Sequence, residues 1–284
     1  MRDASLKTAP RPLDRKSGCS TWNIFTKNGR PTLTDRPGSP FLVTRHRVGE
    51  DRPGALRLRV VQLTDLHLHP GYPPQKLARL AQLVNAQQPD LIVFTGDFLR
   101  HASPHPLPPG VLGILSGIKA RYGRYAVRGN HDLRGWPSQT ACCLKRAGFT
   151  LLRNQQAAVP LPGGRRLVLA GLDDGVYHLA DPRTVRALKK ERGFRLVLAH
   201  EPMLARLVPP GAAELVLAGH THAGQLRWLF AQNFWMPTLA GRCTHGWYAV
   251  NGNPLYVSAG LGESGIGLRI LCPAELPVFD CWLK

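Results

Sequence analysis

Acidic residues are scarce in this chain. Its 284 residues hold 18 Asp and Glu against 37 Lys and Arg, a formal net charge of +19 at pH 7. Such a surface is drawn to polyanions or to an anionic membrane face. Nucleic acid is the weaker candidate of the two, because no recognition helix, RNP-like motif or zinc finger accompanies the basic residues. A generally basic surface with no dedicated partner is the plain alternative to a membrane role. Long apolar runs are also missing. Nothing approaches 18 uninterrupted apolar residues, which argues against a transmembrane helix, and the N-terminus lacks the apolar core of a signal peptide. The six cysteines, Cys19, Cys142, Cys143, Cys243, Cys272 and Cys281, form no C-x-x-C pattern. Reduced thiols in a cytoplasmic protein, with peripheral attachment to the inner membrane face left open, are the expectation. No repeat recurs at a fixed period. Gly260-x-Gly262 lacks the strand–turn–helix context of a dinucleotide fingerprint.

Five short segments stand out against this background: Asp65-Leu66-His67, Gly96-Asp97, Gly129-Asn130-His131-Asp132, His200, and Gly219-His220-Thr221-His222. Each follows an apolar, strand-like stretch, at 58–63, 91–94, 125–127, 196–199 and 215–218. Loops at the carboxyl ends of strands are where α/β proteins build sites. Asp65, His67, Asp97, Asn130, His200, His220 and His222 are seven candidate metal ligands. One tetrahedral zinc needs about four ligands, one often water. Seven suit two ions roughly 3.5–4 Å apart that share a carboxylate. In Asp65-x-His67 and His220-x-His222 an extended backbone would put both ligands on one face. Oxygen and imidazole donors without thiolate admit Mn, Fe or Zn. Taken singly, Asp65 and Asp97 are ordinary turn residues, Asn130-His131 fits a tight turn, and His200 is an ordinary core histidine. Their common order carries the metal assignment. His46, His69, His101, His105, His178 and His245 lack that support and are expected on surface or loops.

The order D-x-H, G-D, G-N-H-D, H, G-H-x-H resembles the calcineurin-like metallophosphoesterases, from about residue 57 to the C-terminus. The match is closer to a bacterial, membrane-associated branch that includes UDP-2,3-diacylglucosamine pyrophosphatases of lipid A synthesis. The supporting segments are Gln62-Leu63-Thr64-Asp65-Leu66-His67-Leu68, Ala170-Gly171-Leu172-Asp173-Asp174, Gly219-His220-Thr221-His222-Ala223-Gly224-Gln225 and Tyr256-Val257-Ser258-Ala259-Gly260-Leu261-Gly262. The resemblance implies a four-layer α/β/β/α sandwich, where the pattern alone says α/β. It also implies one metal on Asp65, His67 and His222, a second on Asn130, His200 and His220, and Asp97 bridging them. His131 would stand beside the phosphate as a catalytic residue rather than a ligand. Asp132 is also a candidate catalytic residue: it would orient His131 or cap the next segment. Three positions depart from the branch: Arg100 in place of an acid, Met203 in place of Asp, and Ala223 in place of Gly. None is a proposed ligand, although such positions tune metal sites through hydrogen bonds.

The chemistry implied is hydrolysis of a phosphoric ester or pyrophosphate with two divalent ions, manganese first and iron or zinc as alternatives. The ions would neutralise an anionic substrate and lower the pKa of a bridging water, whose hydroxide attacks phosphorus in line. His131 would stabilise charge or protonate the leaving group. A lipid-linked nucleotide such as UDP-2,3-diacylglucosamine is the leading substrate, and a soluble nucleotide or nucleic acid the alternative. Protein phosphatases of the superfamily carry G-D-x-x-D-R-G and G-N-H-E, which differ from Gly96 to His101 and Gly129 to Asp132 here. A non-catalytic scaffold is the alternative of another class, though such a protein would shed ligands. No protein partner is implied. The segment 226–237, with Trp228, Phe230, Phe234 and Trp235, is either a surface for acyl chains or part of the core.

Helices are expected at 74–86, where Leu77, Leu80, Leu83 and Val84 keep helical spacing, and at 111–120, 138–147 and 182–190. Further strands are expected at 151–152, 167–170, 248–250, 255–258 and 278–282, with a hairpin turn at Pro162-Gly163-Gly164. Residues 1–55, rich in Pro, Gly, Ser, Thr, Arg and Lys, are expected to be a disordered basic arm. That arm would be an electrostatic tether or a mere leader. The domain proper would occupy 56–284.

Overall fold

A computed structural model describes residues 20–21, 40–100, 107, 110–134, 136–224, 239, 241–263 and 269–284. Two mixed sheets face each other. One has the order β2-β13-β3-β4-β5-β6 and is built from Phe41–Val48, Ala274–Leu283, Leu56–Leu63, Leu91–Thr95, Arg124–Val127 and Thr150–Leu151. The other runs β1-β11-β12-β10-β9-β8-β7, from Ser20–Thr21, Gly246–Val250, Asn253–Val257, Leu215–Ala218, Phe194–Leu198, Arg166–Gly171 and Gln155–Pro160.

Side-chain alternation along the strands explains the layers. Leu58, Val60, Leu91 and Val93 of one sheet meet Leu167, Leu169, Leu196, Leu198, Leu215 and Leu217 of the other, forming the core between the sheets. The alternate residues Val61, Leu63, Ile92 and Phe94 point outward onto the helices α1 (Pro74–Ala86), α2 (Val111–Ser116) and α3 (Pro137–Arg146). Val168, Ala170, Val197, Val216 and Ala218 point outward on the second sheet, onto Val185 of α4 (Arg183–Arg186) and the 3-10 turns beside it. The result is the expected α/β/β/α sandwich. Each fully buried Leu or Val contributes roughly 1.5–3 kcal/mol by leaving water.

The helix α1 follows its apolar spacing, burying Leu77, Leu80, Ala81 and Val84, with Pro in its first turn. The second helix stops at Ser116, short of residue 120, with Gly117 as its C-cap. The fourth tightens into a 3-10 turn over Ala187–Lys190. The turn at 162–164 joins β7 and β8 as an antiparallel pair.

Two expectations need correction. The disordered arm does not extend through residue 55: Phe41–Val48 is an eight-residue strand paired in parallel with β13, from Phe41↔Ala274 to Cys281↔Val48. Buried Phe41, Val43 and Val48 anchor it to the cores. Nor are all thiols free. Cys142, Cys143, Cys272 and Cys281 are free, but Cys243 is disulfide-bonded. The aromatic segment 226–237 and nearly all of 101–109 lie outside the described residues, as do His101 and His105.

Candidate metal centre

Strands β3, β4, β5, β9 and β10 all end on one side of the sandwich, and the five motifs follow those ends. Three sets of donor atoms converge there. Asp65, His67 and His222 form one, Asp97, His200 and His220 another, and His67, Asp97 and His131 a third; within each set the donor atoms lie within 4.8 Å of one another. His67 Nε2 is 2.9 Å from His222 Nε2. His222 Nε2 is 3.4 Å from Asp65 Oδ1. On the other side His220 Nδ1 is 3.1 Å from His200 Nε2. Asp97 Oδ2 stands between the two groups, 3.6 Å from His67 Nε2 and 3.3 Å from His200 Nε2. Asn130 is buried, and its Oδ1 has no hydrogen-bond partner.

The backbone that aims these donors is not extended. Asp65, His67, Asp97, His220 and His222 all have φ between 48° and 72°, the left-handed region that non-glycine residues rarely adopt. The D-x-H and H-x-H pairs therefore converge through tight turns, not through an extended face as their spacing suggests. Backbone held in such regions clusters at functional sites. Ala223 also sits at φ 50°. Gly129 is required by contact: a Cβ there would lie 2.4 Å from Asp97 Oδ1.

Neighbouring groups fix the rings and carboxylates. His200 Nδ1 donates to the Thr95 carbonyl at 2.7 Å, which fixes the ring with Nε2 toward Asp97. His131 Nδ1 donates to the Arg100 carbonyl at 2.6 Å. The family departure at Arg100 therefore leaves this contact intact, since the backbone supplies the acceptor. Asp65 Oδ2 accepts from Thr64 Oγ1 at 2.7 Å and from His220 N at 3.1 Å. The Asp132 carboxylate accepts from the backbone N–H of Asp97, Leu99 and Gly129 at 2.8, 3.1 and 2.9 Å. It ties two ligand loops together.

Burial and charge set the protonation. Burial opposes ionising Asp97, but His200, with His67 and His131 behind it, outweighs burial and holds the carboxyl well below its usual range. Burial would lower His200, yet Asp97 and Asp65 raise it well above its ordinary value. Burial takes His67 down to about 3 and His222 well below its ordinary value. Both rings are thus kept neutral, the form that offers a lone pair to a cation. Burial also raises Asp65 to about 6.

Sequence reasoning missed several supports. Arg128, just before Gly129, makes a buried two-point pair with Asp173, at 3.0 and 2.6 Å. Glu201, next to His200, accepts from Gly175 N at 3.0 Å. Arg269 Nη2 lies 3.2 Å from His222 Nδ1. The Asp173-Asp174 segment hinted at the first. Nothing in the sequence around Arg269 marked it.

Residues 58–224 match the family model described as calcineurin-like phosphoesterase. The chain belongs to that family. The metallophosphoesterase YkuE of Bacillus subtilis (strain 168) is 32% identical over 222 residues, covering 78% of each chain. The phosphodiesterase YaeI of Escherichia coli (strain K12) is 28% identical over 243 residues, covering 84% of this chain and 88% of its own. A zebrafish (Danio rerio) transmembrane protein with a metallophosphoesterase domain is 33% identical, covering 77% of this chain and 52% of its own length. The chain is a phosphoester hydrolase, and its Asp and His clusters are those of a phosphoesterase that uses divalent metal ions. The donor set fits such ions. It is oxygen and imidazole only, it includes an unpartnered buried carbonyl on Asn130, and the nearby Cys272 thiol donates instead to the His222 carbonyl.

Proposed function

We propose that this phosphoesterase cleaves the phosphodiester or pyrophosphate linkage of a lipid-linked nucleotide, of the kind represented by UDP-2,3-diacylglucosamine. Asp65, His67 and His222 would hold one ion, Asn130, His200 and His220 the other, and Asp97 both. Manganese suits these donors, with iron or zinc as alternatives. Two divalent cations there would neutralise an anionic phosphoryl group and bring a water's pKa toward neutrality. The chain's own residues do the rest. Asp132 and Arg128 hold the Gly129–His131 loop against Asp97. His131, its Nδ1–H committed to the Arg100 carbonyl, offers Nε2 to the substrate, where it stabilises developing charge or delivers a proton to the leaving oxygen.

One observation carries the lipid-linked substrate. Among the described residues the large exposed hydrophobics are Trp136, Tyr177, Leu179 and Leu271, at 58%, 45%, 42% and 64% exposure. All four lie in segments that adjoin the loops of the centre in sequence or by hydrogen bond. Trp136 follows the Asn130–His131 loop, Tyr177 and Leu179 follow β8, and Leu271 adjoins Cys272. A soluble nucleotide has little use for such a rim, whereas acyl chains and a membrane interface do. A second, soluble phosphodiester substrate draws support from the name of the YaeI relative alone. The test is hydrolysis by the manganese-loaded protein of UDP-2,3-diacylglucosamine, bis-p-nitrophenyl phosphate and RNA in parallel. The proposal requires the acylated sugar nucleotide to be turned over with the highest kcat/KM. Preference for RNA, or for the small diester, overturns it.

A further inference from the structure

A second cleft opens where strands β8, β9 and β10 begin, at the end of the sandwich away from the metal centre. Its volume is about 960 Å³, within the size range of sites for small organic ligands. Phe194 starts β9 and His200 follows its end, so the two regions stand on the order of 20 Å apart. The inter-sheet core lies between them.

Its chemistry is divided. Val48, Phe194 and Leu283, members of the inter-sheet core, line it together with Trp282. Arg165, Arg166, Arg192 and Lys284 also line it. Part of that charge is uncompensated. Arg165 donates to Lys284 O and to the Gly54 carbonyl. Arg166 has Glu191 at 3.2 Å. Arg192 and the Lys284 side chain have no carboxylate within ion-pair distance among the described residues. The side-chain carboxylate in the lining, Glu214, is already engaged by Arg195 at 2.5 Å. The indole N–H of Trp282 is shielded from solvent and meets no acceptor, an arrangement that folded proteins seldom leave unmet.

We propose that this cleft is a second ligand site, separate from the metal centre, for a phosphorylated molecule with an apolar or aromatic body. Guanidinium forks match phosphate oxygens, and the aromatic and aliphatic wall takes the body. Two sources carry that chemistry, a lipid phosphate and a nucleotide. Phosphonates separate them, because a C–P bond resists this enzyme's hydrolysis. The metal-loaded full chain is titrated calorimetrically with methylphosphonate, dodecylphosphonate below its aggregation concentration, and a nucleoside phosphonate. At least one of the two larger ligands should bind tenfold or more tightly than methylphosphonate, and the tighter of the two identifies the source. The double variant Arg166→Glu with Arg192→Glu, both exposed, should weaken that binding at least tenfold and leave bis-p-nitrophenyl phosphate turnover unchanged. Equal affinity for methylphosphonate removes the apolar half of the site. Undiminished binding by the double variant places the ligand elsewhere, and either result overturns the proposal.

Discussion

Asp97 is gripped from several sides. Its backbone N–H goes to Asp132, its Oδ1 accepts the N–H of His131 at 2.9 Å, and its Oδ2 stands between His67 and His200. His131 touches the same carboxylate through its backbone, while its ring is turned to the Arg100 carbonyl. Binding and chemistry should therefore separate. Asp97→Asn should leave fewer than two ions per chain, because either ion would meet a neutral amide in place of a carboxylate. His131→Ala should keep both ions and lower kcat by roughly 10²–10⁴, the range for a positioned acid or base. Metal analysis alongside turnover checks the pair: two tightly held ions in Asp97→Asn, or lost metal in His131→Ala, reverses the assignments. These residues were legible in the sequence because each ends an apolar strand. The contacts of Asp132 were not, since a motif gives residue order and not the direction of a carboxylate. The left-handed turns were hidden for the same reason.

At the scale of elements, β2 was lost because Pro37-Gly38-Ser39-Pro40 and Arg52-Pro53-Gly54 flank it and arginines interrupt its apolar face. Its place is secured by a polar chain that no periodicity announces. Trp247 Nε1 donates to His46 Nδ1 at 3.3 Å; His46 Nε2 meets Thr44 Oγ1 at 3.1 Å; Thr44 Oγ1 donates to Glu275 at 2.7 Å. Glu275, buried on β13, also accepts from Tyr256 OH and from Ala259 N. Burial works against its charge, but His245, the Ala259 N–H and Tyr256 hold the carboxyl down at about 2. Burial, against the pull of Glu275, lowers His46 to about 4. Both shifts act in one direction. The unfolded chain takes up protons first, at His46 from about pH 6.5 and at Glu275 from about pH 4.5, so stability falls as pH drops through those windows. Glu275 alone accounts for about 3 kcal/mol, lost progressively between about pH 4.5 and 2. Glu275→Gln should be less stable than the wild type at pH 7 and show a flatter acid limb in urea melts taken from pH 7 to 3. Parallel acid limbs for the two proteins would remove Glu275 from the account.

Across the whole molecule, charge and exposed apolar area act together. The net charge of +19 was plain from composition, but composition could not say which face meets a partner. Trp136, Tyr177, Leu179 and Leu271 are exposed, in segments that adjoin the loops of the metal centre, and the proposed partner surface is there. No helix among the described residues is long and apolar enough to cross a membrane, so the proposed contact is interfacial. Arg134 is exposed just before Trp136, and a basic residue near an anionic surface adds about 1 kcal/mol. Replacing Trp136 and Tyr177 together by Ser touches no proposed ligand and, both being exposed, little of the core. The double variant should lose binding to vesicles containing anionic lipid and lose about tenfold in activity on the acylated sugar nucleotide. Its metal content and its hydrolysis of bis-p-nitrophenyl phosphate should stay at wild-type levels. Residual vesicle binding should fall as salt rises, because the arginines that remain act through screened charge. A loss of equal size on the small diester would mean that the aromatics support the centre itself, and unchanged activity on both substrates would leave the rim without a role in catalysis at a membrane.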